Sequence, residues 1–182
     1  MARLPYVDPA SAPEQVRELL ERLPVKLNIF RMMAHATTDF RPLVGLGSAI
    51  LARQKLSPKL RELAILRVAA LSPARYEWVQ HVPIAQATGA TTAQITALER
   101  GEITADVFDA VERAVLRFTT EVLCDVRASE ATFAEAARHL SAQEIVELIV
   151  TVGYYMLIAR LLETTAVDLD PPSGTKVVDA IR

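Results

Sequence analysis

The sequence predicts an all-α fold in a single domain, because hydrophobic residues are abundant, glycines are few and helix-start motifs recur along the chain. Hydrophobic residues make up 51% of the 182 residues, against 23% charged, and there are only six glycines. This composition argues against disorder and against a sheet rich in tight turns. No segment alternates convincingly as a strand. We therefore expect about eight or nine helices in one domain that covers residues 1–182.

Short polar motifs mark the helix starts. Three segments, beginning at Ser11, Thr91 and Ser141, have the spacing of a capping box, in which two side chains satisfy free amides of the first turn. Ser57 and Ser72 each precede a proline, the residue favoured at the first helical position. These signals predict helices near residues 12–23, 28–36, 40–54, 58–71, 73–88, 92–100, 106–125, 130–139 and 142–164.

The last long helix carries apolar residues three or four positions apart, a spacing that predicts one buried stripe. The stripe consists of Ile145, Leu148, Ile149, Val152, Met156 and Ala159. The tail, residues 168–182, lacks helical periodicity, so we expect it on the surface or against a neighbouring subunit. The core of the domain is then expected over about residues 15–165.

Charge and cysteine content exclude several classes of function. The formal net charge is −2 with acidic and basic residues interspersed, so we expect no nucleic-acid partner. The single cysteine, Cys124, rules out an internal disulfide, and with three histidines it makes a structural zinc site unfavourable. We expect Cys124 to be buried and to behave as a small hydrophobe. No signal peptide or membrane span is apparent, and a cytoplasmic location with no membrane association is the expectation.

The segment from Arg61 to Pro83 carries the chemistry-bearing residues. It is predicted to form two helices joined by a tight corner at Ser72 and Pro73. Glu77 and His81 are four residues apart, which places them on one helix face. Glu62 lies near the start of the preceding helix, and an antiparallel return brings it opposite His81.

At this point the sequence resembles the carboxymuconolactone decarboxylase and alkylhydroperoxidase D-like (AhpD-like) superfamily. The redox branch carries Glu-x11-Cys-x2-Cys-x3-His, and this chain has the same spacing with Glu62, Ala74, Glu77 and His81, so both cysteines are absent. Further matches lie at residues 28–33, 45–49, 61–63, 76–78 and 81–83, and they look like the non-redox members. The resemblance covers about residues 15–165.

The resemblance implies an AhpD-like helical bundle that assembles as a homo-oligomer, a trimer or a hexamer. It also implies a site around Glu62 and His81 that works without a cofactor. Since a thiolate is the nucleophile in peroxide reduction, Ala74 and Glu77 cannot perform the chemistry of the redox branch. The remaining pair suits general acid–base catalysis on a small-molecule substrate, with His81 as acid or base and Glu62 orienting it.

Other side chains are candidates for the substrate site. Glu77 is either a second carboxylate at the pocket or an ionic partner of His81. Tyr76, Trp78 and Arg67 are candidates for the pocket wall, where an aromatic ring and a cation suit an organic acid. Two structural alternatives stay open: Glu62 as the ion partner of Arg61 or Arg67, and Trp78 as a core or interface anchor. Tyr154 and Tyr155 are expected mainly to pack between helices.

The sequence thus predicts a carboxymuconolactone decarboxylase-like enzyme, a carboxy-lyase that acts on a small lactone or organic acid by decarboxylation or a related proton transfer. One alternative is a non-catalytic oligomeric protein of the same fold that binds a ligand or serves as a scaffold. A second is a peroxidase-like activity through the single thiol of Cys124.

Overall fold

Helix α4 (Pro58–Leu71) lies at the centre of the computed structural model, which describes residues 1–179. Nine consecutive residues of this helix, from Arg61 to Ala69, are buried. A helix that is buried on all sides needs neighbours around its whole circumference. It packs against α5 (Arg75–Ala87), α6 (Thr92–Glu99), α7 (Ala110–Asp125) and α9 (Ala142–Thr165).

The remaining helices surround this centre. They are α1 (Glu14–Arg22), α2 (Asn28–Met33), α3 (Phe40–Arg53), α8 (Glu130–Ala137) and the four-residue α10 (Lys176–Asp179). A 3-10 turn, Pro9–Ser11, precedes α1, and no strand occurs within residues 1–179. The prediction of an all-α domain is confirmed for these residues. Helix α10 lies in the tail, where no helix was expected, and residues 180–182 of the predicted tail lie outside the described residues.

Two of the three predicted capping boxes are present. Thr91 pairs with Gln94 at the start of α6, and Ser141 pairs with Glu144 at the start of α9. A third box, Asp109 with Glu112, was not predicted, and it starts α7 at residue 110 rather than 106. The predicted box at Ser11 is wrong.

Local backbone geometry explains the misplaced starts. Asp8 caps a 3-10 turn over Pro9–Ser11, so Ser11 lies inside that turn and α1 begins at Glu14. Ser72 is the C-cap of α4 rather than the N-cap of α5, which begins only at Arg75. The corner between α4 and α5 is therefore two residues longer than predicted.

Helix α9 is the one helix of the described chain that is long and apolar enough to cross a membrane. Its inner face, which includes Leu148, Val152 and Tyr155, forms part of the hydrophobic core with α4 and α7. A central helix of a soluble fold has this character. The predicted stripe needs one correction, since Ile149 is 42% exposed.

Candidate active site

A hydrogen-bonded Glu62–His81 pair joins α4 and α5. His81 Nδ1 lies 2.9 Å from Glu62 Oε2, so the carboxylate accepts a hydrogen bond from the ring. Glu62 is fully buried and His81 is 8% exposed. The antiparallel return of α5 along α4 brings the two side chains together, as the sequence predicts.

Arg61 binds the other oxygen of the same carboxylate. Its Nε donates to Glu62 Oε1 at 3.1 Å, and its Nη1 donates to the carbonyl of Ile50 at 3.3 Å. The guanidinium is 2% exposed, so its charge compensates that of Glu62 in a dry environment. Glu62 therefore has both of the contacts considered for it, because it hydrogen-bonds to His81 and is also the ion partner of Arg61.

An aromatic ring from α9 fixes the second face of the imidazole. The Tyr155 ring packs edge-on against His81, with 4.9 Å between ring centroids and an interplanar angle of 88°. Tyr154 stands edge-on to Tyr155 at 5.3 Å, and its hydroxyl donates to the carbonyl of Leu43. Burial raises the pKa of Tyr155 well above its usual range and that of Tyr154 to about 12. Both phenols are neutral at physiological pH.

His81 opens onto a cavity of about 120 Å³ between α2, α3, α5 and α9. Most of its wall is apolar and comes from residues such as Ile29, Phe30, Val44, Leu51 and Ile158. The polar lining is confined to a few side chains. They are Ser48, Tyr76, Glu77, Gln80, His81, Tyr154, Tyr155 and Ser173.

Glu77 is the unusual member of this wall. It is 2% exposed, and neither of its carboxyl oxygens has a hydrogen-bond partner among the described residues. Burial raises the pKa of the Glu77 carboxyl well above its usual range, and the negative charge of Glu163 raises it further. The structure thus places Glu77 at the cavity and gives it no ionic partner.

The tail crosses the cavity wall and is held by α5. The Tyr76 hydroxyl donates to Asp170 Oδ2 at 2.5 Å, and the same oxygen accepts from the backbone amide of Asn28 at 2.7 Å. Gln80 donates to the carbonyls of Asp170 and Pro171 and accepts from the amide of Ser173. The tail therefore packs against its own subunit, and the hydroxyl of Tyr76 is used in holding it.

Two predicted wall residues lie elsewhere. Arg67 points towards α7, where its Nε donates to Thr120 Oγ1 at 3.0 Å. Trp78 is half-buried and packs against the hydrophobic cluster that includes Leu63 and Leu66, on the other side of α5. Its position is about 100° around the helix from Glu77, which turns it away from the cavity. The pocket-wall prediction is corrected for both residues, and packing in the core is the reading that fits Trp78.

Cys124 is exposed, which corrects the expectation that it is buried. It lies near the end of α7, and it is not among the residues that line the cavity. Within residues 1–179, no group of three His, Cys, Asp or Glu side chains is arranged to hold a metal ion.

Three residues of the site were not predicted from the sequence as part of it. Tyr154 and Tyr155 both line the cavity, although their packing between helices was expected to be their main role. Gln80 was not singled out, yet it precedes His81 and faces both the cavity and the tail. Its one available signal was its position three residues after Glu77, on the same face of α5.

Comparisons with known proteins agree with this architecture. The model of the carboxymuconolactone decarboxylase family matches residues 40–121, the segment that contains Glu62, Glu77 and His81. No curated protein matches the sequence at a significant level.

Solved structures share the fold at low sequence identity. A peroxidase-related protein from Ralstonia eutropha, described as an alkylhydroperoxidase AhpD core, is 20% identical, with a TM-score of 0.79 and coverage of 93% of this chain and 92% of that one. A peroxidase-related protein from a Silicibacter species is 17% identical, with a TM-score of 0.77 and the same coverage. A cysteine-to-alanine variant of the debrominase Bmp8, in complex with 2,3,4-tribromopyrrole, is 18% identical, with a TM-score of 0.76 and full coverage of both chains. At these identities the likeness concerns the fold.

Proposed function

We propose that this chain is an enzyme that transfers protons at carbon without a cofactor, because residues 40–121 match the model of the carboxymuconolactone decarboxylase family. The observation that carries this proposal is the 2.9 Å hydrogen bond between His81 and Glu62 at the wall of an apolar cavity. The substrate is a small organic molecule, and the reaction is decarboxylation or a related proton transfer.

The pair has the arrangement that general acid–base catalysis requires. A carboxylate that accepts from Nδ1–H fixes the ring and its tautomer, and this leaves Nε2 as the nitrogen that takes or gives the proton. Arg61 holds the carboxylate from the other side. The edge of Tyr155 restricts rotation of the imidazole. These contacts hold Nε2 of His81 in a fixed orientation towards the reacting carbon, which favours proton transfer.

Two reactions share the transfer of a proton between His81 and a carbon of the substrate. In decarboxylation the bond to the carboxylate carbon breaks, CO₂ leaves, and a carbonyl of the substrate takes the electron pair until His81 delivers a proton to carbon. In isomerisation His81 removes a proton from one carbon and returns it to another through the same enolate. Both need an electron sink in the substrate and a group that stabilises its developing negative charge.

We also propose that the subunits associate with one another, through the outer face of α9. Val146, Ile149, Val150 and Leu157 are between 38% and 59% exposed and lie along one stripe of this helix. An exposed apolar stripe of this kind is typical of a subunit interface. The single unpaired cysteine agrees with a reducing compartment such as the cytoplasm.

The proposal is tested by hydrogen–deuterium exchange at carbon. The protein is incubated in D₂O with a panel of small lactones, enones and β-keto acids, and proton NMR follows exchange and loss of CO₂. We expect turnover of at least one compound, reduced by about 100-fold or more in His81→Gln. Turnover that persists in His81→Gln rules out the proposed role, and no turnover by either protein favours a non-catalytic ligand-binding protein.

Two matched variants separate this chemistry from its alternatives. His139→Gln removes a histidine that contacts Glu135 on the surface and does not line the cavity. Cys124→Ala removes the only thiol. Both should keep wild-type turnover, and a loss of activity in Cys124→Ala alone would favour the thiol-dependent alternative.

A further inference from the structure

The surroundings of Glu77 are those of a ligand-binding group. It lines the cavity from α5, is 2% exposed, and has no hydrogen-bond partner on either oxygen within the part of the chain that the structure describes. Buried polar groups are nearly always paired, because leaving one unpaired is unfavourable. A molecule in the cavity that hydrogen-bonds to this carboxyl group would satisfy it.

The charges around the cavity disfavour an ionised Glu77. No lysine or arginine is among the described residues that line the cavity. The buried cation Arg61 is outside the cavity lining, and it contacts Glu62 and the Ile50 carbonyl. The titratable side chains that line the cavity with Glu77 are Tyr76, His81, Tyr154 and Tyr155. Burial raises the pKa of Tyr154 and Tyr155, which keeps both phenols neutral. The negative charge of Glu163, on α9, also acts on Glu77.

A protonated carboxyl group differs from a carboxylate in what it recognises. It offers one O–H donor, whereas the ionised form can only accept. Burial favours the protonated form, and the raised pKa of Glu77 agrees with this. The O–H of a protonated Glu77 can donate to a carbonyl oxygen of an uncharged ligand, and the neutral carboxyl group does not repel such a ligand.

We propose that Glu77 is a hydrogen-bond donor to the substrate and that the cavity takes an uncharged, largely apolar molecule with one carbonyl oxygen. The proposal rests on the proposed proton-transfer function and names the substrate class of that same site. With about 120 Å³ of space, the cavity is close to the size of an apolar cavity of about 150 Å³ that binds benzene. A molecule built on one six-membered ring therefore fits.

This substrate class selects between the two reactions that His81 can perform. Decarboxylation starts from a carboxylate. Transfer of this anion from water into the apolar cavity is unfavourable, because no lysine or arginine among the described lining residues can pair with it. An uncharged enone or lactone avoids that desolvation. Its carbonyl accepts from Glu77, while His81 moves a proton at the neighbouring carbon. Isomerisation by proton shift is then the reaction, and Glu77 stabilises the enolate oxygen that forms.

The first experiment needs no ligand. Infrared spectra of the full chain near pH 7 are recorded for the wild type, Glu77→Gln and the control Glu163→Gln. We expect the carbonyl band of a protonated carboxylic acid in the wild type and in Glu163→Gln, and its absence in Glu77→Gln. Glu163 is exposed on α9 and outside the cavity lining. Absence of the band from the wild type overturns the proposal.

The second experiment measures binding by calorimetric titration with 2-cyclohexenone, cyclohexene and cyclohexanecarboxylate. We expect 2-cyclohexenone to bind more tightly than the other two. Glu77→Leu, which fills the space without a donor, should weaken it by about 10-fold. Glu77→Gln keeps a donor and should stay within about 3-fold of wild type. Tighter binding of the carboxylate, equal binding in Glu77→Leu, or no binding of any probe overturns the proposal.

Failure of this inference is distinguishable from failure of the proposed function. If His81→Gln loses proton exchange while Glu77→Leu binds 2-cyclohexenone as the wild type does, the role of Glu77 is wrong and proton transfer stands. If Glu77 controls binding but His81→Gln exchanges protons normally, the catalytic role of His81 is wrong and the cavity is a site for uncharged ligands.

Discussion

The carboxylate of Glu62 and the imidazole of His81, 19 residues apart in the chain, meet at 2.9 Å in an interior where Glu62 has no exposed surface. The hydrogen bond is therefore shielded from water on the carboxylate side. A shielded contact of this kind holds the ring more firmly than the same contact would on the surface. The proposed chemistry depends on that orientation.

Replacing Glu62 with Gln tests the orienting role. We expect kcat/KM for proton exchange to fall by about 100-fold, because an amide can donate to Nδ1 and hold the wrong tautomer. Glu135→Gln, which removes the partner of His139 on the surface, is the control. An unchanged kcat/KM in Glu62→Gln would contradict the orienting role of Glu62.

The Arg61–Glu62 contact makes a prediction about stability. Arg61→Met leaves a fully buried carboxylate with His81 as its remaining partner, and it should lower the free energy of unfolding by about 3 kcal/mol. The double variant Arg61→Met/Glu62→Gln should lose less than the sum of the two single variants, because no uncompensated charge remains. Urea unfolding of the four proteins gives this coupling energy. Additivity within about 0.5 kcal/mol would mean that the two charges do not depend on each other.

The raised pKa of Glu77 predicts how stability changes with pH. In the unfolded chain the carboxyl group ionises near its ordinary value of 4.5, whereas in the folded protein it keeps its proton to higher pH. The contribution of the protonated carboxyl to stability is complete below pH 4.5 and is lost as the pH rises through the folded value. Between the two values the loss relative to Glu77→Gln is about 1.4 kcal/mol per pH unit.

The measurement is the difference in unfolding free energy between wild type and Glu77→Gln, taken by urea unfolding from about pH 5 to about pH 8. The difference isolates Glu77, because every other titrating group is common to both proteins. We expect the variant to gain stability over the wild type as the pH rises. A difference that stays flat, or that falls with pH, contradicts a buried and protonated Glu77.

Local signals in the sequence predicted the helices. They could not predict contacts between residues that are distant in the chain. Thr91 and Ser141 start their helices because a capping box needs only four neighbouring residues. Glu62 and His81 could be paired because both lie on helices joined by one short corner. The contacts of the tail within its own subunit were not predicted, since they depend on Tyr76 and Gln80, at least 90 residues away in the chain.

Orientation on a helix was the second source of error. Arg67 and Trp78 have side chains that suit an organic acid, but residue type does not say which way a helix turns them. Helix α4 is buried all round, so its apolar pattern has no preferred face from which the direction of Arg67 could be read. The sequence could not show that Glu77 has no hydrogen-bond partner among the described residues, because this depends on which side chains other elements place around it.

The outer stripe of α9 predicts that single charges will dissociate the subunits. Ile149→Glu places a carboxylate in the proposed interface and should yield the 20.0 kDa monomer in light scattering coupled to gel filtration. Val126→Glu alters an apolar residue that is 88% exposed outside the stripe, and it is the control. Tyr155 is about 180° around the helix from Val146, so the monomer should retain the cavity. Wild-type protein that is already monomeric rules out the proposed association.

Gly47 predicts a steric link between α3 and the tyrosine pair. A Cβ added at Gly47 would lie 2.5 Å from the Tyr154 hydroxyl, whereas one added at Gly45, two residues earlier on the same helix, meets nothing within 4 Å. Gly47→Ala should therefore displace the Tyr154 ring and lower unfolding free energy by about 1–3 kcal/mol. Gly45→Ala should raise it by up to about 1 kcal/mol through helix propensity. Urea unfolding of the two variants separates these effects. A stabilised Gly47→Ala would mean that the Tyr154 ring can move at no cost in free energy.

The same substitution should affect activity. Since Tyr154 packs on Tyr155 and Tyr155 on His81, Gly47→Ala should also slow proton exchange, while Gly45→Ala leaves it unchanged.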